Sequence, residues 1–184
     1  MNQQSFNLID RLQVRTAMLA IGRSTLRSQG AKGMVAEARR FLRNVDLNLF
    51  AVGTSEQFLA VLDKQTSLLA SQFPDGGRGN WGAARKSINI FLRDVFYCRP
   101  LCEHYNLAVL ESWLEVPLDS NVHEGLLNDA TNDVVAWPGV KALTPVVGGQ
   151  LQSTASAVAK SLGVARVHLD VRYWRKAALD ELEG

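Results

Sequence analysis

The 184-residue chain is poor in several features that mark whole classes of protein. Its two cysteines, Cys98 and Cys102, are too few for a disulfide framework. Even with His104 close by, they fall short of the roughly four ligands that a structural metal site needs. No metal or other cofactor is expected, and a reducing cytoplasmic setting is. No apolar run approaches the roughly 18 residues that span a bilayer, so no membrane association is expected. The opening MNQQSFNLIDRLQVR lacks the basic start and apolar stretch of a signal peptide. No stretch alternates apolar and polar residues as a half-buried strand does, and there is no internal repeat or low-complexity tract. What remains is a helix-forming chain with 47% hydrophobic and 21% charged residues. That composition builds a sizeable core within one compact domain, spanning 1–184.

A net charge of only +2 hides a segregated pattern. Residues 1–43 carry eight Lys or Arg against Asp10 and Glu37, residues 76–102 carry five against Asp94, and residues 136–176 carry six against Asp170. Residues 103–135 carry seven acids and no Lys or Arg. A basic face for phosphates with an acidic back would give this distribution, and so would ordinary solvated helix surfaces.

Apolar spacing predicts helices over about 5–27 and 33–44, and a third from near Thr54, where Ser55 and Glu56 supply helix-start chemistry. Phe73-Pro74-Asp75-Gly76-Gly77-Arg78-Gly79-Asn80 is the strongest loop signal. A fourth helix follows from Trp81 to about Tyr97 and is broken by Arg99-Pro100. A short helix or turn falls around 101–112. Asp119 and Ser120 cap another over 120–129. Residues 132–149 read as irregular, with breaks at Pro138 and Pro145 and a flexible joint at Gly148-Gly149. Helices over about 150–162 and 165–182 complete an all-α fold.

The fourth helix carries the most chemistry. At 100° per residue, Trp81, Ala84, Ile88, Phe91, Leu92, Val95 and Phe96 share one broad face, while Lys86, Asn89 and Arg93 line the other. A simple surface helix would turn that second stripe to water. Ile90 lies on the polar side one turn from Lys86, however, and predicts a second buried surface or a cleft there. A lysine in such a place is a candidate nucleophilic amine. Downstream, Asp119 follows an extended Val116-Pro117-Leu118 and suits a helix N-cap. The same fixed carboxylate could stabilise developing positive charge.

Lys86, Arg93 seven residues on, and Val-Pro-Leu-Asp-Ser at 116–120 together resemble the helix-hairpin-helix DNA glycosylase superfamily, most closely its archaeal 8-oxoguanine DNA glycosylase branch. The likeness covers roughly residues 76–176. It implies a two-lobed helical bundle with a cleft between the lobes, in which Lys86 forms a Schiff base and Asp119 is the catalytic carboxylate. The superfamily's late acid and tryptophan, one turn apart, match Asp170 and Trp174, implying base recognition by that pair. Two departures stand out. The usual hairpin consensus is replaced by Gly76-Gly77-Arg78-Gly79-Asn80, and Ile90 stands where an aromatic residue is expected.

The resemblance implies a bifunctional glycosylase and abasic-site lyase acting on an oxidised or modified purine such as 8-oxoguanine, flipped out of double-stranded DNA. A nucleoid-associated monomer would then grip the DNA backbone through Arg78, Gly79, Arg85 and Arg93, with the amides opening the fourth helix holding a phosphate. The alternative is a non-catalytic helical module that binds DNA or a protein partner through the same surface.

Overall fold

In the computed structural model, which describes residues 7–22, 24–30 and 32–174, every regular element is helical. The order is α1 (Leu8–Ala20), α2 (Met34–Asn44), α3 (Ser55–Gln72), α4 (Trp81–Tyr97), α5 (Arg99–His104), α6 (Ser120–Asp129), α7 (Pro145–Leu162) and α8 (Leu169–Tyr173). Short 3-10 turns at Leu47–Phe50, Ala108–Ser112, Val140–Ala142 and Arg166–His168 join them.

Most of the helix starts follow from local side-chain chemistry. Asn7, Thr54, Asn80, Asp119 and Thr144 each accept a hydrogen bond from an amide of the first turn they precede. These contacts satisfy donors that a helix leaves unpaired at its N-terminus. Two expectations change here. Pro145 does not break the chain but opens α7 at its first position, where a proline ring suits the backbone and no amide is needed. Gly148 and Gly149 therefore lie inside α7 rather than in a joint. A side chain at Gly148 would meet the Trp81 ring, its Cβ about 3.0 Å from it.

The first helix is also shorter than its apolar spacing predicts. Thr25 Oγ1 donates to Ala20 O and accepts from Gly22 N, and Arg39 Nε donates to Ile21 O. These bonds take the carbonyls that would extend α1. Residues 5–6 and the part of the expected 165–182 helix beyond Trp174 lie outside the described residues. Within them, α8 ends at Tyr173.

The buried apolar side chains form two clusters. The larger gathers α1 to α5 with Leu107, Leu110, Leu114, Val140 and Val167. The smaller joins Val116 and Leu118 to α6, α7 and α8. Helix α4 runs through the larger cluster and is buried on nearly all sides, as its apolar content on more than one face requires. Its stripe of Lys86, Asn89 and Arg93 thus meets protein, not open water, and Ile90 is buried beside it. Gly82, one turn before Lys86, passes directly under Val140 O, so any Cβ there would collide with that carbonyl. This close approach seats the start of α4 against the segment that leads into α7.

Candidate active site

Lys86 lies on α4, in the helix embedded in the larger cluster, and Asp119 lies at the start of α6, in the smaller one. Their side chains meet: Lys86 Nζ donates to Asp119 Oδ2 at 3.1 Å. The lysine side chain is 10% exposed and the aspartate 28%. Asp119 also caps α6, but with its other oxygen, Oδ1, which accepts from Val122 N at 3.0 Å. The cap therefore fixes the carboxylate while one oxygen faces the amine.

A second ion cluster adjoins this pair. Arg93, seven residues along α4, donates to Asp94 Oδ1 from Nε and Nη2, at 2.9 and 2.7 Å, and to Asp170 Oδ2 from Nη1. Burial pushes the Asp170 carboxyl above its ordinary range, Arg93 pulls it back, and the charge of Asp119 raises it further. Asp94 is likewise raised, chiefly by burial, against the pull of Arg93. Lys86, Arg93, Asp94, Asp119 and Asp170 thus form one partly buried, alternating set of charges between α4, α6 and α8. Beyond it, Tyr97 OH and Glu111 Oε1 hold the two ring nitrogens of His168, at 2.7 and 2.8 Å. That clasp anchors the turn two residues ahead of Asp170.

No protein-family model matches the chain, and no curated protein or solved structure matches it. Among the described residues, no group of three or more His, Cys, Asp or Glu is arranged to hold a metal ion, and no helix is long and apolar enough to cross a membrane.

The structure redraws the expected DNA-backbone contacts. Arg85 is 5% exposed and points inward. It forms a bidentate pair with Glu115, both contacts at 2.8 Å, reaches Asp63 Oδ1 at 2.7 Å and lies over the Trp81 ring. With its charge neutralised in the core it is no phosphate contact. Arg93 is similarly engaged by its two aspartates. The glycine loop does not present a ring of open amides either. Gly77 N donates to Pro74 O, Gly79 N to Ala70 O and Asn80 N to Gly77 O, while the Asn80 side chain takes Ala83 N. Gly79 instead serves the turn, with φ at +78°, a conformation that favours glycine. Of the three arginines proposed as contacts, Arg78 alone extends into solvent, 65% exposed and paired with Asp75; Gly79 beside it is exposed as well.

Trp174 is also placed differently. It follows α8 as an extended C-cap residue and is 57% exposed, so it does not share a helical face with Asp170. The residues that sequence reasoning missed are partners of those it found: Asp94 of Arg93, and Asp63 and Glu115 of Arg85. Asp94 had one visible signal, as the lone acid among the basic residues of 76–102. Glu115 had none, because nothing local distinguishes a carboxylate that faces an arginine thirty residues away.

Proposed function

We propose that the protein is a DNA base-excision glycosylase with associated abasic-site lyase activity, acting through a Lys86 Schiff base on a modified purine such as 8-oxoguanine. The observation that carries this reading is the contact between Lys86 and Asp119. A nearly buried amine lies 3.1 Å from a carboxylate that an independent helix cap holds still. Such a pair supplies a nucleophile and the group that takes its proton. In this reading the two apolar clusters are the two lobes of a helix-hairpin-helix enzyme. The hairpin is α3, the 73–80 loop and α4, and double-stranded DNA presents a flipped nucleotide to the cleft between the lobes.

The chemistry needs no external co-reactant but water. Lys86 passes a proton to Asp119, and its free electron pair attacks C1′ of the sugar. The bond from C1′ to the base breaks, its electron pair leaving with the base, which is protonated. Asp119 hands the proton it took from Lys86 to the departing base, and the carboxylate so restored stabilises the positive charge that develops on the sugar. The C1′–O4′ bond then opens, O4′ takes a proton, and the lysine nitrogen forms the imine. Loss of a C2′ proton expels the 3′-phosphate and cuts the strand, and water hydrolyses the imine to release Lys86. Asp170, held by Arg93, meets the edge of the base.

The test is cleavage of a duplex that carries one abasic site. The wild-type chain should cut it by elimination, leaving an unsaturated aldehyde on the 3′ end. Lys86→Ala and Lys86→Arg should both be inactive, the second because a guanidinium stays protonated at any usable pH. Cleavage by either variant at the wild-type rate would end this reading.

A further inference from the structure

Helix α4 has a second functional-looking side. Around Arg85, between α3, α4 and α7, lies a cavity of about 660 Å³ that neither Lys86 nor Asp119 lines. Its size is that of ordinary small-ligand sites. Two half-buried indoles, Trp81 and Trp113, contribute to its wall; Gly148 of α7 packs against the Trp81 ring, and Gly149 beside it leaves open space. The bottom is electrically settled, because the bidentate Arg85–Glu115 pair and Asn89 engage both oxygens of Glu115.

Arg166 is different. It lines the cavity from the far end, and its Nε and Nη2 donate to the carbonyls of Leu114 and Trp113 at 3.2 and 2.9 Å. Nη1 reaches only Ser156 Oγ, at 3.4 Å. Among the described residues no carboxylate is bonded to it. Burial holds its guanidinium below the usual range, Glu115 opposes that only in part, and Arg85 adds to it. A half-buried cation without a bonded counter-ion suits a small anion. The hydroxyls of Ser153 and Ser156, which donate to Gly149 O and Gln152 O at 3.0 and 2.9 Å, line the same cavity and can turn toward such a ligand. Across the cavity, Asp63 is more than half exposed beyond its single bond to Arg85. A carboxylate there accepts hydrogen bonds and so favours an amino-bearing edge.

We propose that this cavity binds a nucleoside monophosphate unit, its phosphate at Arg166 and the serines, its base against Trp81 and Trp113, and its amino edge toward Asp63. The same group occurs in a free nucleotide and at the 5′-phosphorylated end of a strand. This site is independent of the Lys86 chemistry and stands or falls without it.

The experiment is titration of the full chain with AMP, followed by tryptophan fluorescence and calorimetry. A 5′-phosphorylated dinucleotide, adenosine and inorganic phosphate are titrated beside it. AMP or the phosphorylated dinucleotide should saturate, and the tighter of the two identifies the source. Adenosine should bind about tenfold more weakly or worse, the scale of losing one charge-assisted hydrogen bond. Arg166→Gln should show a similar loss. Because Arg166 also holds two backbone carbonyls, Ser153→Glu serves as a second variant. It places a negative charge at the rim from an exposed position and should also weaken AMP, while Lys86→Ala should bind AMP normally. Absence of saturable binding at millimolar ligand, equal affinity for adenosine and AMP, or wild-type affinity in both Arg166→Gln and Ser153→Glu would overturn the proposal.

Discussion

Asp119 divides its work between two oxygens, and that division makes its two roles separable by one substitution. Asparagine caps a helix about as well as aspartate, so Asp119→Asn should keep the bond to Val122 N and unfold at nearly the wild-type temperature. Strand cleavage should nevertheless fall about 100- to 1000-fold, the usual loss when a preorganised electrostatic partner of a transition state is removed. A variant that loses stability but keeps its rate would reduce Asp119 to a cap. Glu115 makes the complementary case for a structural charge. Burial pushes its carboxyl up, but the bonds and charge of Arg85, with Asn89 and Arg166, more than offset this and hold it below 4.5. A carboxylate depressed in the folded state contributes stability that is complete above its unfolded value and is lost as pH falls through the folded one. Glu115→Gln should therefore cost about 3 kcal/mol at neutral pH, at the low end for breaking a buried pair. The gap from wild type should narrow as chemical denaturation is repeated at pH below 4.5. A gap that stays constant down to the acid limit would show that the charge of Glu115 contributes nothing.

Helices read well from sequence where their ends are decided locally. Trp81–Tyr97 and Ser120–Asp129 carry the expected bounds because Asn80 and Asp119 are short-range caps. The start of α7 was legible but misread: Thr144 caps it and Pro145 opens it, both local signals. The end of α1 was not legible, because contacts of Thr25 and Arg39 settle it. The same holds for α8. Its position depends on Tyr173, whose ring lies directly over Gly125 of α6 and whose hydroxyl donates to Asp129 at 3.0 Å. Burial and the Asp129 carboxylate raise that phenol to about 12, so it remains a donor throughout the working range. Gly125→Ala would drive a Cβ into the ring and displace α8, at about 1–3 kcal/mol for an overpacked contact, offset in part by the better helix propensity of alanine. Asp170 travels with α8. Excision of 8-oxoguanine should therefore fall while cleavage at a preformed abasic site, with no base to read, changes little. Equal effects on the two substrates would mean that α8 supports the fold and does not read the base.

At the scale of the whole molecule, sequence reasoning found the all-helical class and the order of helices but did not sort the basic residues of α4 by destination. Arg85 and Lys86 are neighbours in sequence, yet one enters a core ion pair and the other meets a carboxylate from a different apolar cluster. That choice depends on where residues 107–119 cross between the clusters, which no local pattern encodes. The charge segregation has a related outcome. Several of the acids in 103–135, Glu111, Glu115, Asp119 and Asp129 among them, pair with basic partners from elsewhere in the chain rather than forming a detached acidic back. The central claim is that Lys86, alone among the lysines, forms an imine with an opened sugar. Borohydride reduction in the presence of a duplex with an abasic site freezes that imine as a secondary amine, and peptide mapping of the adduct locates it. The account predicts a covalent protein–DNA adduct on Lys86, absent from Lys86→Ala and retained when Lys64 is replaced instead. Failure to trap any adduct, or an adduct mapped to Lys32, Lys64, Lys141, Lys160 or Lys176, would contradict it.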